Sequence, residues 1–192
     1  MNKKISELNV CEAILASRPV FAYKPQKVNV KTVRSVIEAA IRAPTATYLE
    51  PWAFVIIQNV ELLKRISDTA KAKLIKEPKN SLQPGGVLNQ PELNVFYKVS
   101  TLIVICANTN VPYAETDCWM AAQNLMLAAH AIGLGSSVVI QALTALSDSE
   151  IKSQLWIGEG YKAVVPIVVG YADAHRDISQ IKRPLILSWL EG

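Results

Sequence analysis

The first half of the chain alternates between helical spacing and continuous apolar runs. From about Val30 to Arg42, apolar residues recur every three or four positions behind Asn29 as a candidate N-cap, which predicts an amphipathic helix. This helix must end before Pro44, because a proline disfavours helical geometry in the residue preceding it. The run Trp52–Ile57 is apolar throughout and predicts a strand covered on both faces. A second amphipathic helix is predicted from Glu61 to about Lys76.

The middle of the chain combines a long loop with two strongly apolar elements. Pro78 to Pro91 has little periodicity and predicts a loop of the length that often serves as a functional lid. Leu102 to Ala107 predicts a second buried strand. The helix predicted from Cys118 to about Ile132, with Asp117 as its cap, is apolar nearly all round, which is typical of a helix buried on every side.

The last third of the chain predicts short elements. Ser137 to Ile140 reads as a short strand, and Ser147-Asp148-Ser149-Glu150 is a capping-box pattern that opens a helix ending near Leu155. Ala163 to Gly170 predicts a strand, and its Pro166 indicates an edge position or a bulge. Together the elements predict an α+β fold with residues 1–192 in one domain.

Composition limits the class of protein. Of the 192 residues, 51% are hydrophobic and 19% are charged, which excludes a disordered chain. The apolar surplus, together with the apolar C-terminal stretch from Leu185 to Leu190, predicts a buried subunit interface. No run approaches the roughly 18–20 apolar residues that a membrane span needs. The net charge of +4 comes with no basic stripe interleaved with aromatics, so neither a membrane nor nucleic acid is an expected partner.

Cysteine and histidine usage is sparse. The three cysteines, Cys11, Cys106 and Cys118, are odd in number and widely spaced, which argues against a disulfide framework and favours the reducing cytoplasm. The stretch from Met1 to Glu7 has no uninterrupted apolar core, so no signal peptide is expected there. Neither histidine has another ligand type at close spacing, and we expect no metal site.

Several segments carry a familiar set of motifs in a fixed order. They are Ser17 to Tyr23, Ala43 to Trp52, Asp117 to Ser136, Val165 to Tyr171, and Lys182-Arg183-Pro184. The ordered set, spanning about residues 14–190, resembles the nitroreductase family of FMN flavoproteins. The first two family motifs read Arg-Arg-Ser-x-Arg-x-Phe and Ala-Pro-Ser-x-x-Asn-x-Gln-Pro-Trp.

The resemblance implies a fold and an assembly. The fold it implies is nitroreductase-like α+β, with a small mixed central sheet flanked by helices. The assembly is an intertwined homodimer with two FMN sites at the interface, in which the C-terminal tail embraces the partner subunit.

The resemblance also implies a function. The chain is expected to be an FMN-dependent NAD(P)H oxidoreductase that reduces nitroaromatic or quinone-type acceptors by a ping-pong hydride mechanism. Because flavin N5 carries the hydride, no side-chain nucleophile or general base is required and no catalytic side chain is predicted. The lack of a recognisable catalytic triad fits this expectation.

The resemblance identifies candidate cofactor-binding residues. A phosphate dianion needs Arg or Lys donors, for which the candidates are Arg18, Lys182 and Arg183. The remaining candidates around the flavin are Ser17, Pro19, Phe21, Pro44, Thr45, Ala46, Thr47, Asn94, Val139 and Ile140.

The chain departs from the family pattern at several of these positions. Ser17 and Phe21 occupy slots where the family carries basic residues, and a cation at the Phe21 slot can stabilise negative charge on reduced flavin at N1/C2=O. Glu50 stands where glutamine is usual, and the loop lacks the usual asparagine. A carboxylate near an electron-rich flavin would repel it unless Glu50 points away or pairs with a base.

These departures keep other interpretations open. The protein could be a non-catalytic or vestigial flavin-binding protein, or a specialised flavin enzyme of the dehalogenase or flavin-fragmenting type. Each motif also has a plain structural interpretation. Arg18 could be a surface arginine, Pro44 to Pro51 a simple helix-to-strand connection, and Lys182-Arg183 a solvated turn.

Overall fold

The computed structural model describes residues 9–76, 94–173 and 183–191. Its helices are α1 (Val10–Ala16), α2 (Val30–Ala40), α3 (Val60–Lys76), α4 (Ala114–Ala131), α5 (Leu143–Leu146) and α6 (Ser149–Gln154), with a 3₁₀ turn at Ile140–Ala142. Its strands are β1 (Trp52–Ile57), β2 (Leu102–Asn108), β3 (Gly135–Val138) and β4 (Tyr161–Gly170). The predicted α+β class is confirmed.

The four strands form one sheet in the order β1-β2-β4-β3. Every pairing is antiparallel: Phe54 opposes Ile105 between β1 and β2, and Ile103 opposes Ile167 between β2 and β4. The described sheet is therefore antiparallel rather than mixed as predicted. The error has a physical origin, because a continuous apolar run marks a strand covered on both faces but carries no information about its direction.

The sheet is covered by helices on both faces, and β2 shows the division most clearly. Leu102, Val104 and Cys106 belong to the core that α3 and α5 cover. The alternate residues Ile103 and Ile105 belong to the core beneath α2 and α4. Because side chains alternate along a strand, one continuously apolar strand serves two cores.

Two helix starts differ from the sequence prediction. Helix α4 begins at Ala114, behind Tyr113 in the left-handed region (φ 62°), so Asp117 lies inside the helix and is buried rather than acting as its cap. The N-cap of α6 is Asp148 rather than Ser147, and the Asp148 side chain accepts from the Glu150 N–H. Asn29 caps α2 as predicted, by accepting from the Thr32 N–H.

Strand β4 is an interior strand, flanked by β2 and β3. The edge position suggested by Pro166 is therefore wrong. The alternative of a bulge agrees with the pairing of β4 with β2, which skips Val164: Val165 opposes Ile105, and Ala163 opposes the next residue, Cys106. The Pro166 carbonyl accepts from the Val139 N–H at 2.9 Å. Strand β3 runs from Gly135 to Val138, two residues earlier at each end than the predicted strand Ser137–Ile140, and Ile140 begins the 3₁₀ turn.

Backbone hydrogen bonds join the segment after α1 to the sheet. The Val20 N–H donates to the Ser136 carbonyl at 3.2 Å, and the Lys24 N–H donates to the Tyr171 carbonyl at 2.8 Å. Tyr23 forms an isolated antiparallel bridge with Ala172. These bonds hold residues 20–24 across the ends of β3 and β4.

Gly135 permits this close approach, which leads to a testable prediction. A Cβ on Gly135 would lie 2.7 Å from a Val20 methyl carbon, well inside van der Waals contact. We expect Gly135→Ala to destabilise the fold by about 1–3 kcal/mol, the usual cost of overpacking. Thermal melting measures this, with Gly158→Ala as control because no atom lies within 4 Å of its added Cβ. Equal melting of both variants would contradict the packing argument.

Candidate functional site

A cavity of about 1020 Å³ opens where the segment after α1 crosses the ends of β3 and β4. This volume is at the upper end of the range for ligand sites, roughly 300–1,000 Å³. The residues that line it come from four parts of the chain. They are Ala16, Ser17, Arg18, Pro19, Val20, Phe21, Ala22, Lys24, Tyr97, His130, Gly133, Leu134, Gly135, Ser136, Tyr171 and Ala172.

The charged side chains of this wall are basic. They are Arg18 and Lys24, whereas no aspartate or glutamate appears among the lining residues of the described chain. Glu50, the residue that departs from the expected glutamine, is exposed and does not line the cavity. Such a wall attracts an anion, since its charged lining side chains in the described chain are basic.

Arg18 lies at the C-terminal end of α1. Its Nη1 donates to the Leu15 carbonyl at 2.7 Å and to the Ser17 carbonyl at 2.8 Å. The other guanidinium nitrogens make no hydrogen bond to a described residue, and the side chain is exposed. A guanidinium has five N–H donors. Arg18 can therefore donate to carbonyls at the C-terminal end of α1 and still present donors to an anion.

An aromatic pair forms another part of the cavity wall. The rings of Phe21 and Tyr97 meet edge to face, with centroids 5.3 Å apart and an angle of 73° between their planes. Phe21 is 38% exposed, so it does not belong to the buried core. Burial raises the pKa of the Tyr97 phenol above its usual value. A neutral aromatic wall suits the flat face of a conjugated ring.

Tyr23 supports the wall from behind. Its ring is buried, and its hydroxyl donates to the Val20 carbonyl at 2.8 Å. Burial, with a smaller contribution from nearby Tyr97, raises the pKa of the Tyr23 phenol well above its usual range. The hydrogen bond fixes the segment between Val20 and Tyr23, and with it the position of Phe21.

The loop Pro44 to Thr47 does not line this cavity. It lies against α4, where the Ala46 N–H donates to Oδ1 of buried Asp117 at 3.1 Å. Oδ2 of Asp117 and the Thr47 hydroxyl are buried and have no hydrogen-bond partner among the described residues. Pro44 and Ala46 are exposed, so the loop presents an open surface.

The other predicted site residues are also dispersed. The Asn94 side chain accepts from the Phe96 N–H at 2.8 Å and shapes a turn. Val139 is buried in the core, Ile140 is 47% exposed, and Arg183 is exposed in the tail. None of these residues lines the cavity of its own chain. Lys182 and the Pro78–Pro91 segment lie outside the described residues.

The structure therefore brings together Ser17, Arg18, Pro19 and Phe21 from the predicted set. It adds cavity residues that sequence reasoning missed: Lys24, Tyr97, His130 and Tyr171. Lys24 lies just beyond the Ser17–Tyr23 motif and could have been found by extending that motif. Tyr97 follows a stretch whose sequence shows little periodicity, and nothing in the sequence signals its position.

The described chain shows neither a membrane-spanning helix nor a metal cluster. Among the described helices, none is long and apolar enough to cross a bilayer. The described residues also hold no group of three or more His, Cys, Asp or Glu side chains placed to bind a metal ion.

Solved structures with the same fold include flavoproteins. A nitroreductase with bound FMN from Bacteroides fragilis superposes with a TM-score of 0.83 at 24% identity, covering 96% of this chain and 100% of that one. An iodotyrosine deiodinase bound to FMN and 3-iodo-L-tyrosine superposes with a TM-score of 0.73 at 19% identity, covering 94% of this chain and 98% of that one. At these identities the likeness shows the fold.

Sequence comparison gives the family. A relative named "Putative NADH dehydrogenase/NAD(P)H nitroreductase" from Methanothermobacter thermautotrophicus is 26% identical over 137 residues, which are 69% of this chain and 61% of that protein. The chain spans about three fifths of the length of the curated relatives it matches. The model of the Nitroreductase family matches residues 20–171, from the cavity segment to the end of β4. The chain belongs to the nitroreductase family.

Proposed function

We propose that the protein is an FMN-dependent NAD(P)H oxidoreductase that reduces nitroaromatic or quinone-type acceptors by a ping-pong mechanism. The observation that carries the proposal is the cavity, whose charged lining residues are basic and whose wall includes an aromatic pair. Family membership and the FMN-bound structural neighbours support it. The three free cysteines fit a cytoplasmic protein.

The residues present fit the cofactor. FMN combines a phosphate dianion with a flat conjugated ring, and the cavity offers cations for the first and aromatic surface for the second. Arg18 and Lys24 would hold the phosphate, with Ser17 and Ser136 as neutral polar neighbours. Phe21 and Tyr97 would face the ring system.

The protein's own part in the reaction is binding and orientation. The bound flavin supplies the hydride chemistry, as flavins do generally. Hydrogen bonds from residues 20–24 to β3 and β4 fix the cavity floor, and the Tyr23 hydroxyl keeps the Phe21 segment in place. The strands beneath this floor are largely buried, and a site supported by strands is held more precisely than one carried by loops alone.

Reconstitution tests the proposal. Purified protein incubated with FMN and desalted should keep an absorbance band near ~450 nm, as expected of a bound flavin. NADH or NADPH should bleach this band, and a nitroaromatic or quinone should restore it. Parallel lines in double-reciprocal plots would establish the ping-pong order. Protein that retains FMN without being bleached would instead be a non-catalytic flavin-binding protein.

A specialised reaction is a second candidate, favoured by the structural similarity to the iodotyrosine deiodinase. The same FMN-loaded protein discriminates between a dehalogenase and a reductase. Iodide release from 3-iodo-L-tyrosine under dithionite, faster than turnover of nitroaromatic or quinone acceptors, would support a dehalogenase. Turnover of the acceptors without iodide release would support the reductase.

We also propose that the protein is a homodimer with two such sites at its interface. Exposed apolar side chains occur in many places on the described chain, and α1, α4 and the C-terminal stretch are among them. They include Ile14, Leu15, Trp119, Met120, Leu185, Ile186, Leu187, Trp189 and Leu190. Five of the six residues from Leu185 to Leu190 are exposed and apolar, and a contiguous apolar stretch of this kind marks an interaction site. A second copy would cover it and could bring its exposed Pro44–Thr47 loop to the cavity of the first, with the tail embracing the partner.

Sedimentation tests the assembly. We expect a dimer at micromolar concentration, and a melting temperature that rises with protein concentration because dimerisation stabilises the folded state. Trp119→Glu should shift the equilibrium towards the monomer, since it would bury an unpaired charge in the interface. Lys31→Glu, an exposed change on α2, is the control. A wild-type monomer at this concentration would overturn the proposal.

A further inference from the structure

The short turn that carries Tyr97 has an unusual backbone. Tyr97 (φ 55°) and Lys98 (φ 57°) are consecutive non-glycine residues in the left-handed region. Residues other than glycine rarely adopt this conformation, and it persists only where the surrounding structure enforces it. Backbone strain of this kind is concentrated at ligand and active sites. The turn therefore calls for a functional explanation.

The surroundings do enforce this conformation. The Val95 N–H donates to the buried Ser67 hydroxyl at 2.9 Å, and the Phe96 N–H donates to the Asn94 side chain at 2.8 Å. Val95, Phe96 and Val99 are buried in the core beside α3. With its neighbours anchored on both sides, the turn holds Tyr97 in the cavity wall, where its ring meets Phe21 edge to face.

The hydroxyl of Tyr97 differs from that of Tyr23. The Tyr23 hydroxyl is engaged, since it donates to the Val20 carbonyl. The Tyr97 hydroxyl has no hydrogen-bond partner among residues 9–76, 94–173 and 183–191, although the side chain is half-buried. A tyrosine phenol is protonated at neutral pH, and burial raises the pKa of Tyr97 further, so the hydroxyl is a hydrogen-bond donor there. A strained turn thus presents a free neutral donor at the cavity.

We propose that the Tyr97 hydroxyl donates a hydrogen bond to a carbonyl oxygen of the bound flavin ring, with Phe21 holding the Tyr97 ring in position. This inference rests on the proposed function. The division of the wall supports it: Arg18 and Lys24 suit the phosphate dianion, whereas the polar edge of the ring carries carbonyl oxygens that a neutral phenol matches. Phe21 has no hydrogen-bond donor, so the donor within the aromatic pair is Tyr97.

The test is Tyr97→Phe, which removes the hydroxyl and keeps the ring against Phe21. Titration of apo-protein with FMN should give a Kd three- to tenfold above wild type, the range expected for one neutral hydrogen bond. Reduction adds negative charge to the ring, so reduced FMN should lose about threefold more affinity than oxidised FMN. That difference lowers the two-electron midpoint potential by about 14 mV. A carbonyl stretch of bound FMN should also move to higher frequency in infrared difference spectra.

Tyr113→Phe is the matched control. Tyr113 shares the left-handed backbone (φ 62°) but lies at the start of α4, outside the cavity. The Tyr113→Phe variant should bind FMN with wild-type affinity, and its bound FMN should have the wild-type midpoint potential. If Tyr97→Phe matches wild type in Kd, potential and carbonyl frequency, the inference fails while the proposed function stands. If wild-type protein does not bind FMN, the proposed function fails and the inference with it.

Discussion

Replacing Arg18 with alanine is expected to weaken FMN binding by about 1.5–3 kcal/mol, a rise in Kd of about 10- to 150-fold. Arg18 lines the cavity, only its Nη1 is engaged by described residues, and no lining carboxylate competes for its charge. A charge-assisted bond to the phosphate dianion would be lost, with Lys24 left as the nearest substitute in the wall. Titration of apo-protein with FMN, followed by flavin fluorescence, measures the effect.

Controls separate phosphate binding from the structural role of Arg18. Arg18→Lys keeps the charge but loses the guanidinium fork, so it should bind FMN with intermediate affinity. Arg34→Ala removes an exposed arginine on α2, away from the cavity, and should bind as wild type does. Arg18→Ala should also lower the melting temperature of apo-protein slightly, because bonds to two carbonyls at the end of α1 are lost. A lower melting temperature with unchanged Kd would show that Arg18 only stabilises α1.

The elements that bury a large apolar surface could be predicted from the sequence. Strand β1 was predicted with its observed bounds, and α2 and α3 were each predicted to within two residues. The start of α4 was missed by four residues. Its first turn, Ala114 to Asp117, follows Tyr113 in a left-handed conformation rather than a side-chain cap, so no capping pattern marks it.

The site could be predicted only where its residues are contiguous. Ser17 to Phe21 lie on one segment, so a motif was enough to place them together. Tyr97 lies at the same cavity because of a strained turn, which is held by a hydrogen bond from the Val95 N–H to Ser67 on α3. That position depends on tertiary contacts, which a single sequence does not display. The same holds for Pro44 to Thr47, whose route to a flavin site would run through a second copy of the chain.

Replacing Phe21 with arginine is expected to raise the midpoint potential of bound FMN. The family resemblance places a cation at this slot near flavin N1/C2=O, where two-electron reduction adds negative charge. An arginine at position 21 can reach the cavity without burying its charge, because this position lines the wall and Phe21 is 38% exposed. If the new cation favours reduced over oxidised flavin by about 1.4 kcal/mol, the potential rises by roughly 30 mV for a two-electron couple.

The same substitution removes the edge-to-face contact with Tyr97, so its effect on stability must be measured separately. That contact is worth about 0.5–1.5 kcal/mol, and part of it can be recovered by stacking the guanidinium on the Tyr97 ring. Phe21→Leu removes the aromatic pair without adding charge and should leave the potential near or below that of wild type. Spectroelectrochemical titration of both variants, with thermal melting of each, separates charge from packing. A higher potential in Phe21→Arg alone, with a melt close to that of Phe21→Leu, would assign the effect to charge. If both variants shift the potential equally, position 21 acts only through its contact with Tyr97.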